Sequence, residues 1–244
     1  SAGGNLILAA TAEEEISGAG GIASILPDLG PLAAGIVGEP TGMQMAIAEK
    51  GLMVLDCTAH GKAGHAAREE GINAIYLAME AMAWFRSYSF EKVSEFLGPV
   101  KMSVTQVQAG TQHNVVPDRC TFVVDVRTNE LYSNEEIYEL ISQQVSCEVK
   151  ARSFRLQSSR MDPAHPLVQA GLALGRTTYG SPTLSDQALM PFPTLKMGPG
   201  DSARSHSADE YIRLSEIEEA IPLYIALIAH AAGNLHNHTG NRHA

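Results

Sequence analysis

Between about residues 48 and 157 the hydrophobic pattern of this chain changes period, and that change constrains its fold more than any other feature. On either side lie short runs that are apolar nearly throughout, at 5–10, 33–37 and 194–197. Such runs suit parallel strands covered by helices on both faces. Inside the window, 51–59 reads as a strand. Residues 73–90 form an amphipathic helix through Ile75, Met79, Met82 and Phe85, and 102–107 alternates as a half-exposed strand. A strand at 120–126 follows, then a helix capped by Asn134 with Ile137, Leu140 and Ile141 on one face, and a second alternating stretch at 147–156. The order βαββαβ is the split-βαβ, ferredoxin-like pattern. The α/β style returns with a helix from Pro166 to about Thr177 and a last helix from about Ser215 to Ala232. The expected fold is therefore an α/β, parallel-sheet domain (1–47 and 158–232) with an inserted ferredoxin-like α+β domain (48–157), the two meeting at a cleft. A parallel central strand needs neighbours on both sides, and few strands remain to supply them, so the first domain is expected to be incomplete at its N-terminus. Residues 233–244 read as a disordered tail: His236, His238 and His243 have no packed scaffold on which to build a metal site.

The apolar run at 5–10 ends on Thr11-Ala12-Glu13-Glu14-Glu15, and the run at 33–37 ends on Gly38-Glu39-Pro40-Thr41. Adjacent carboxylates repel one another and need cations to stay ionised together. Ligands of open α/β sheets bind beyond the carboxyl ends of the strands, which is where Glu14, Glu15 and Glu39 would converge. A third loop, 198–206, leaves another buried strand and delivers His206. Carboxylates plus one imidazole form an N/O-rich set suited to Zn²⁺, Mn²⁺ or Co²⁺. Two ions there would activate water and polarise an amide carbonyl, leaving one Glu free as proton shuttle. The same acids would serve equally as solvated loop ends or helix caps, and a lone His as a hydrogen-bonded structural residue.

The chain has 244 residues and a net charge of −10, with no Lys/Arg cluster, which disfavours a nucleic-acid surface. No run approaches the ~20 apolar residues of a membrane span. Cys57, Cys120 and Cys147 have no CxxC spacing and read as reduced residues of a cytoplasmic protein.

Glu14-Glu15 after a strand, Gly38-Glu39-Pro40-Thr41, Gly61-Lys62-Ala63-Gly64-His65-Ala66-Ala67, Asn114-Val115-Val116-Pro117, Asp125-Val126-Arg127 and Gly198-Pro199-Gly200 with His206 together resemble the M20 family of co-catalytic metallopeptidases and N-acyl amino acid deacylases. Within it, Ala48-Glu49-Lys50-Gly51 and 184–190 are most similar to acetylornithine deacetylase-like proteins of the Bacteroidetes type. Those act in arginine biosynthesis on N-acetyl or N-succinyl ornithine or citrulline. The resemblance implies a cytoplasmic metallohydrolase with two Zn²⁺ (or Co²⁺, Mn²⁺), a small N-acyl amino acid substrate, and a homodimer through the inserted lid domain. It implies Glu14 as general base and acid, and Glu15, Glu39 and His206 as metal ligands. His65 would polarise the scissile carbonyl, reaching into the partner subunit's cleft, and Asn114 and Arg127 would bind substrate carboxylate or oxyanion.

Local readings stand beside these roles. His65 would simply cap backbone in a Gly-rich turn, Asn114 would be a turn residue, and Arg127 would form a surface ion pair. Family members carry, upstream of the position of Asn5, a His-x-Asp segment and a bridging Asp that this sequence does not show, so the chain as given is expected to be inactive. The alternatives are a dipeptidase or carboxypeptidase using the same metal chemistry, and a non-catalytic dimerisation module.

Overall fold

The computed structural model describes residues 5–16, 18–68 and 70–239, with the backbone alone over 233–239. In chain order the strands are β1 (Gly35–Val37), β2 (Met45–Glu49), β3 (Gly51–His60), β4 (Gly64–His65), β5 (Lys101–Ala109), β6 (Val115–Val116), β7 (Arg119–Thr128), β8 (Glu148–Ala151), β9 (Ser159–Arg160), β10 (Thr178–Ser181) and β11 (Thr194–Lys196). The helices are α1 (Ile22–Ile25), α2 (Ala74–Ser87), α3 (Asn134–Gln144), α4 (Pro166–Ala173) and α5 (Leu214–Thr239). The chain forms two compact units, one of residues 1–49 and 159–244 and the other of 50–158.

In the first unit, β2 carries Met45, Ala46, Ile47 and Ala48, all fully buried, as expected of a strand covered on both faces. The sheet runs β1-β11-β2-β10, with β9 also on β2. It is mixed and not purely parallel: β1 with β11 and β10 with β2 are parallel, whereas β11 and β9 run antiparallel to β2. The run at 5–10 is no strand. It pairs with no described strand, and Leu6 and Leu8 are 74% and 95% exposed. An apolar run becomes a strand only where a ladder can take its N–H and C=O groups, and none of the described strands offers it one. Helix α4 starts on Pro166 with the His165 ring accepting the Leu167 N–H at 3.2 Å, and stops four residues short of Thr177 because Gly175 turns at φ +74. Helix α5 instead continues past Ala232 to Thr239, so 233–239 is helical where a tail was expected. Residues 240–244, including His243, lie outside the described residues.

In the second unit the sheet order β5-β7-β3-β8 is antiparallel throughout. With α2 and α3 this completes the βαββαβ pattern. Strands β3 and β7 alternate strictly, burying Met53, Leu55, Cys57 and Ala59 against Phe122, Val124 and Val126, and α2 adds Ala78, Ala81 and Phe85. Asn73 caps α2 by accepting the Ile75 N–H at 2.9 Å, and the helix ends at Ser87, not Phe90. Tyr88 stacks back on Trp84, and Phe90 packs edge-on between Tyr88 and Tyr132. The cap of α3 is Ser133 in a full capping box with Glu136; Asn134 is the next residue and is buried. Its amide donates to the carbonyls of Phe154 and Leu156 at 3.1 and 3.0 Å. Those carbonyls are thereby drawn to the start of α3, which is why β8 ends at Ala151 and not at 156.

Candidate active site

Two strand ends and their loops build the centre of the first unit. Parallel pairing aligns Val37 with Lys196, so the chain leaves β1 and β11 side by side. The loops that follow are laced together: the Thr41 and Met43 N–H groups donate to Gly198 O at 3.1 and 2.9 Å, Gly42 N–H to Gly200 O at 2.7 Å, and Gly198 N–H to Thr41 Oγ1 at 3.1 Å. Glu39 and the 198–206 loop are thus held together. Gly198 is required by this close approach, since a Cβ there would lie 2.5 Å from Glu39 O. Gly198→Ala is expected to cost about 1–3 kcal/mol through overpacking and to displace Glu39, read as a lower thermal midpoint. A wild-type midpoint would exclude this close packing.

The three adjacent acids divide in role. Glu13, at φ +60, turns back so that its carboxylate accepts the Gly20 N–H at 2.8 Å and its carbonyl accepts the Gly18 N–H at 2.9 Å, anchoring the glycine loop. Glu14 and Glu15 begin the 3₁₀ turn Glu14–Ile16. His206 Nε2 lies 3.9 Å from Glu15 Oε2, both side chains being 77% exposed. The His206 backbone sits at φ +58 and its N–H donates to Glu210 at 3.1 Å. Arg204 braces the same loop through Glu216 on α5 at 2.8 Å.

Burial raises the pKa of Glu14, and the charges of Glu39, Asp186 and Glu15 raise it further against an opposing pull from Lys196. Glu39 is likewise raised, first by burial and then by Glu15 and Asp186, with Lys196 and His206 opposing. Asp186 is raised by burial while a hydrogen bond with Thr11 lowers it. The structure therefore brings Glu14, Glu15, Glu39 and His206 into one electrostatic neighbourhood, and adds two residues that sequence reasoning did not single out. Asp186 lies in a segment noted only for its resemblance. Lys196 had a visible signal, a cation within an apolar strand.

A raised carboxylate pKa means that the folded state holds its proton more tightly, so that group's contribution is largest in acid and is lost as pH rises through the folded pKa. Glu39→Gln mimics the protonated form. Without divalent metal it is expected to raise the thermal midpoint at about pH 7 and to have almost no effect at about pH 4, where wild-type Glu39 is itself largely protonated. An equal effect at both would show that repulsion in the cluster is not the cause.

The carboxylate and imidazole donors suit a divalent cation by type, and such a cation would relieve the mutual repulsion. Among the described residues, however, no three His, Cys, Asp or Glu side chains stand close enough together to ligate one ion. The fit is one of donor chemistry and neighbourhood, not of a closed coordination shell.

In the second unit, β4 pairs with β6 so that His65 faces Val115, and Asn114 O accepts the Ala66 N–H at 2.9 Å. His65 and Asn114 are therefore neighbours, both exposed. His65 Nδ1 accepts the Ala67 N–H at 3.1 Å, the expected local cap. That bond leaves the proton of a neutral ring on Nε2, where it can be donated elsewhere. Arg127 is not brought to this pair. It lies eight positions along β7 from Arg119, a rise of roughly 26 Å, and grips Asp125 in a two-pronged ion pair at 2.8 and 3.0 Å.

An α/β unit interrupted by a four-stranded antiparallel unit, with acids and an imidazole in the loops of the first unit, defines the architecture. Residues 47–152 match the peptidase dimerisation domain of M20 type. The chain is 25% identical to a succinyl-diaminopimelate desuccinylase of Roseobacter denitrificans over 92% of this chain and 66% of that protein. It is 24% identical to an acetylornithine deacetylase of Myxococcus xanthus over 93% of this chain and 65% of that protein. The chain thus spans just under two thirds of the length of these curated relatives. Among solved structures it resembles aminopeptidase PepT from Bacillus cereus (TM-score 0.72, 19% identity, 91% of this chain and 63% of that one). It also resembles the YXEP protein of Bacillus subtilis, described as a dinuclear metal-binding peptidase of the M20 family (TM-score 0.60, 22% identity, 90% and 62%).

Proposed function

We propose that this chain carries part of the machinery for metal-dependent hydrolysis of the amide bond of an N-acyl amino acid, an acetylated or succinylated ornithine or citrulline in arginine biosynthesis. The observation that carries this is Glu14, a partly desolvated carboxyl set among Glu15, Glu39, Asp186 and His206. A carboxyl with a raised pKa is closer to the working range of a proton shuttle. Glu15, Glu39 and His206 would hold zinc, cobalt or manganese, which when bound supplies Lewis-acid polarisation of the acyl carbonyl and acidifies water. Glu14 takes a proton from the attacking water and returns it to the departing amine. His65 Nε2–H and the Asn114 amide are donors for the oxygen on which negative charge develops. Arg127 would take the substrate carboxylate in exchange for Asp125.

The partner in this reading is a second copy of the chain, joined through the inserted unit, and the compartment is the cytoplasm. Edge strand β5 is exposed along almost its whole length, including Val104 and Val107, and α2 exposes Tyr76 and Met79, which supports that pairing. No described helix is long and apolar enough to cross a membrane.

The test is metal analysis of the dialysed protein followed, in a version that also carries the His-x-Asp segment and bridging Asp, by a panel of acetylornithine, succinylcitrulline and dipeptides. Retained metal with preference for the acylated amino acids is expected. Preference for dipeptides would move the assignment to a peptidase of the same chemistry. A metal-free, folded dimer without turnover would favour a dimerisation module.

A further inference from the structure

Cys57 and Cys147 come together on the core face of the second unit. In the β3–β8 ladder Cys57 pairs with Val149 and Thr58 with Glu148, so the next position, Cys147, falls opposite Ala59, diagonal to Cys57 and on the same face. Cys147 packs against the buried cluster that contains Cys57, and each thiol shifts the other's titration. Cys57 is buried within β3 at 1% exposure, whereas Cys147 is half-buried and precedes the first residue of β8, in a bend outside the paired residues of the β3–β8 ladder. One sulfur is thus shielded and fixed, and the other is reachable by solvent on backbone with room to adjust. Cys120 is the control provided by the fold itself: it lies on the other side of Ala59 in the β3–β7 ladder, also diagonal to Cys57, but its thiol is shifted by burial alone.

We propose that Cys57 and Cys147 form an oxidisable dithiol that a peroxide converts to a disulfide joining β3 to the start of β8. The Cys57 thiol lowers the pKa of Cys147, and the Cys147 thiol raises that of Cys57, which designates Cys147 as the attacking sulfur. The Cys147 thiolate attacks one peroxide oxygen and the O–O bond breaks, giving a sulfenic acid, with the second oxygen leaving as water after taking a proton. Cys57 sulfur then attacks the Cys147 sulfur; the S–S bond forms, the S–O bond breaks, and hydroxide leaves as water with the Cys57 proton. Two thiols and one peroxide yield one disulfide and two waters, the two electrons passing from sulfur to oxygen. The closed loop spans most of the second unit, so the product should resist unfolding more than the dithiol.

The test treats the whole native chain with hydrogen peroxide, alkylates the remaining thiols under denaturing conditions, and maps the peptides. The three titratable thiols should fall to one, Cys120, with a Cys57–Cys147 cross-linked peptide and a higher thermal midpoint, both reversed by dithiothreitol. In Cys57→Ser the reaction should halt at a dimedone-trappable sulfenic acid on Cys147, while Cys120→Ser should behave as wild type. A Cys57–Cys120 bridge, stable sulfenic acid at Cys147 in the wild type, or three unreacted thiols would each overturn the proposal. The mapping is made on the wild type, so the result does not depend on any variant folding.

Discussion

In a version that also carries the His-x-Asp segment and bridging Asp, Glu14→Gln is expected to lower amide hydrolysis by about 10²–10⁴-fold, the usual worth of a positioned general acid–base, while metal content stays at the wild-type level. The amide keeps the shape and the hydrogen-bonding of the carboxyl but cannot carry the proton from water to amine. Because Glu14 is also a source of repulsion toward Glu39, the variant should hold metal no more weakly than its parent. Glu15→Gln is the contrasting case, in which metal content and turnover should fall together. Turnover of Glu14→Gln within a few-fold of wild type would remove Glu14 from the mechanism. Parallel loss of metal and rate would reassign it as a ligand.

Lys196→Met is expected to destabilise the protein by about 3–5 kcal/mol, the cost of leaving one member of a buried ion pair behind. Lys196 Nζ lies 3.5 Å from Glu49 Oε2 at side-chain exposures of 5% and 0%. The ammonium also donates to Ser181 Oγ at 2.8 Å and to Thr183 Oγ1 at 3.2 Å, and Glu49 accepts the Ser185 N–H and hydroxyl at 3.2 and 2.8 Å. Burial pushes the Glu49 carboxyl upward, and Lys196 is the largest influence holding it down. Without the ammonium the folded-state pKa rises further, so the deficit should grow as pH increases through the carboxylate range and shrink in acid. Urea midpoints at about pH 7 and pH 5 measure this, and the double change Lys196→Met with Glu49→Gln should restore much of the loss. A single-variant loss under about 1 kcal/mol at neutral pH would mean that Glu49 is already protonated and the pair is not ionic.

The parts of this architecture legible in the sequence are those with a strong local period. Strands β3 and β7 alternate over ten residues each, and α2 and α3 show their apolar faces, so the order of elements in the inserted domain can be read although the ends of α2, α3 and β8 cannot. What could not be read is set by distant groups. Residues 5–10 have the composition of a buried strand but pair with no described strand. Strand β2 is apolar from Met45 to Ala48 and falls in the sheet of the first unit, which places the division at 49/50, two residues beyond the expected 47/48. The candidate site divides similarly. Glu14, Glu15, Glu39 and His206 announce themselves because charged and imidazole groups at the ends of apolar runs need a reason. Asp186 does not, because its significance comes from neighbours more than 140 positions away. Arg127 carries the opposite lesson: its motif includes Asp125, and the two side chains satisfy each other.

The lacing of the 38–44 loop to Gly198 and Gly200 spans 157 positions in its Thr41–Gly198 bond. On a ribosome, the strand Gly35–Val37 must therefore wait until Thr194–Lys196 has been made, whereas every ladder of the 50–158 unit is closed by residues already synthesised. The interrupted unit is accordingly the later of the two to fold, and its apolar segments spend that interval without their sheet partners. Nascent chains stalled before residue 194 should show a protease-resistant central fragment flanked by cleavable ends, a dependence imposed by chain connectivity alone.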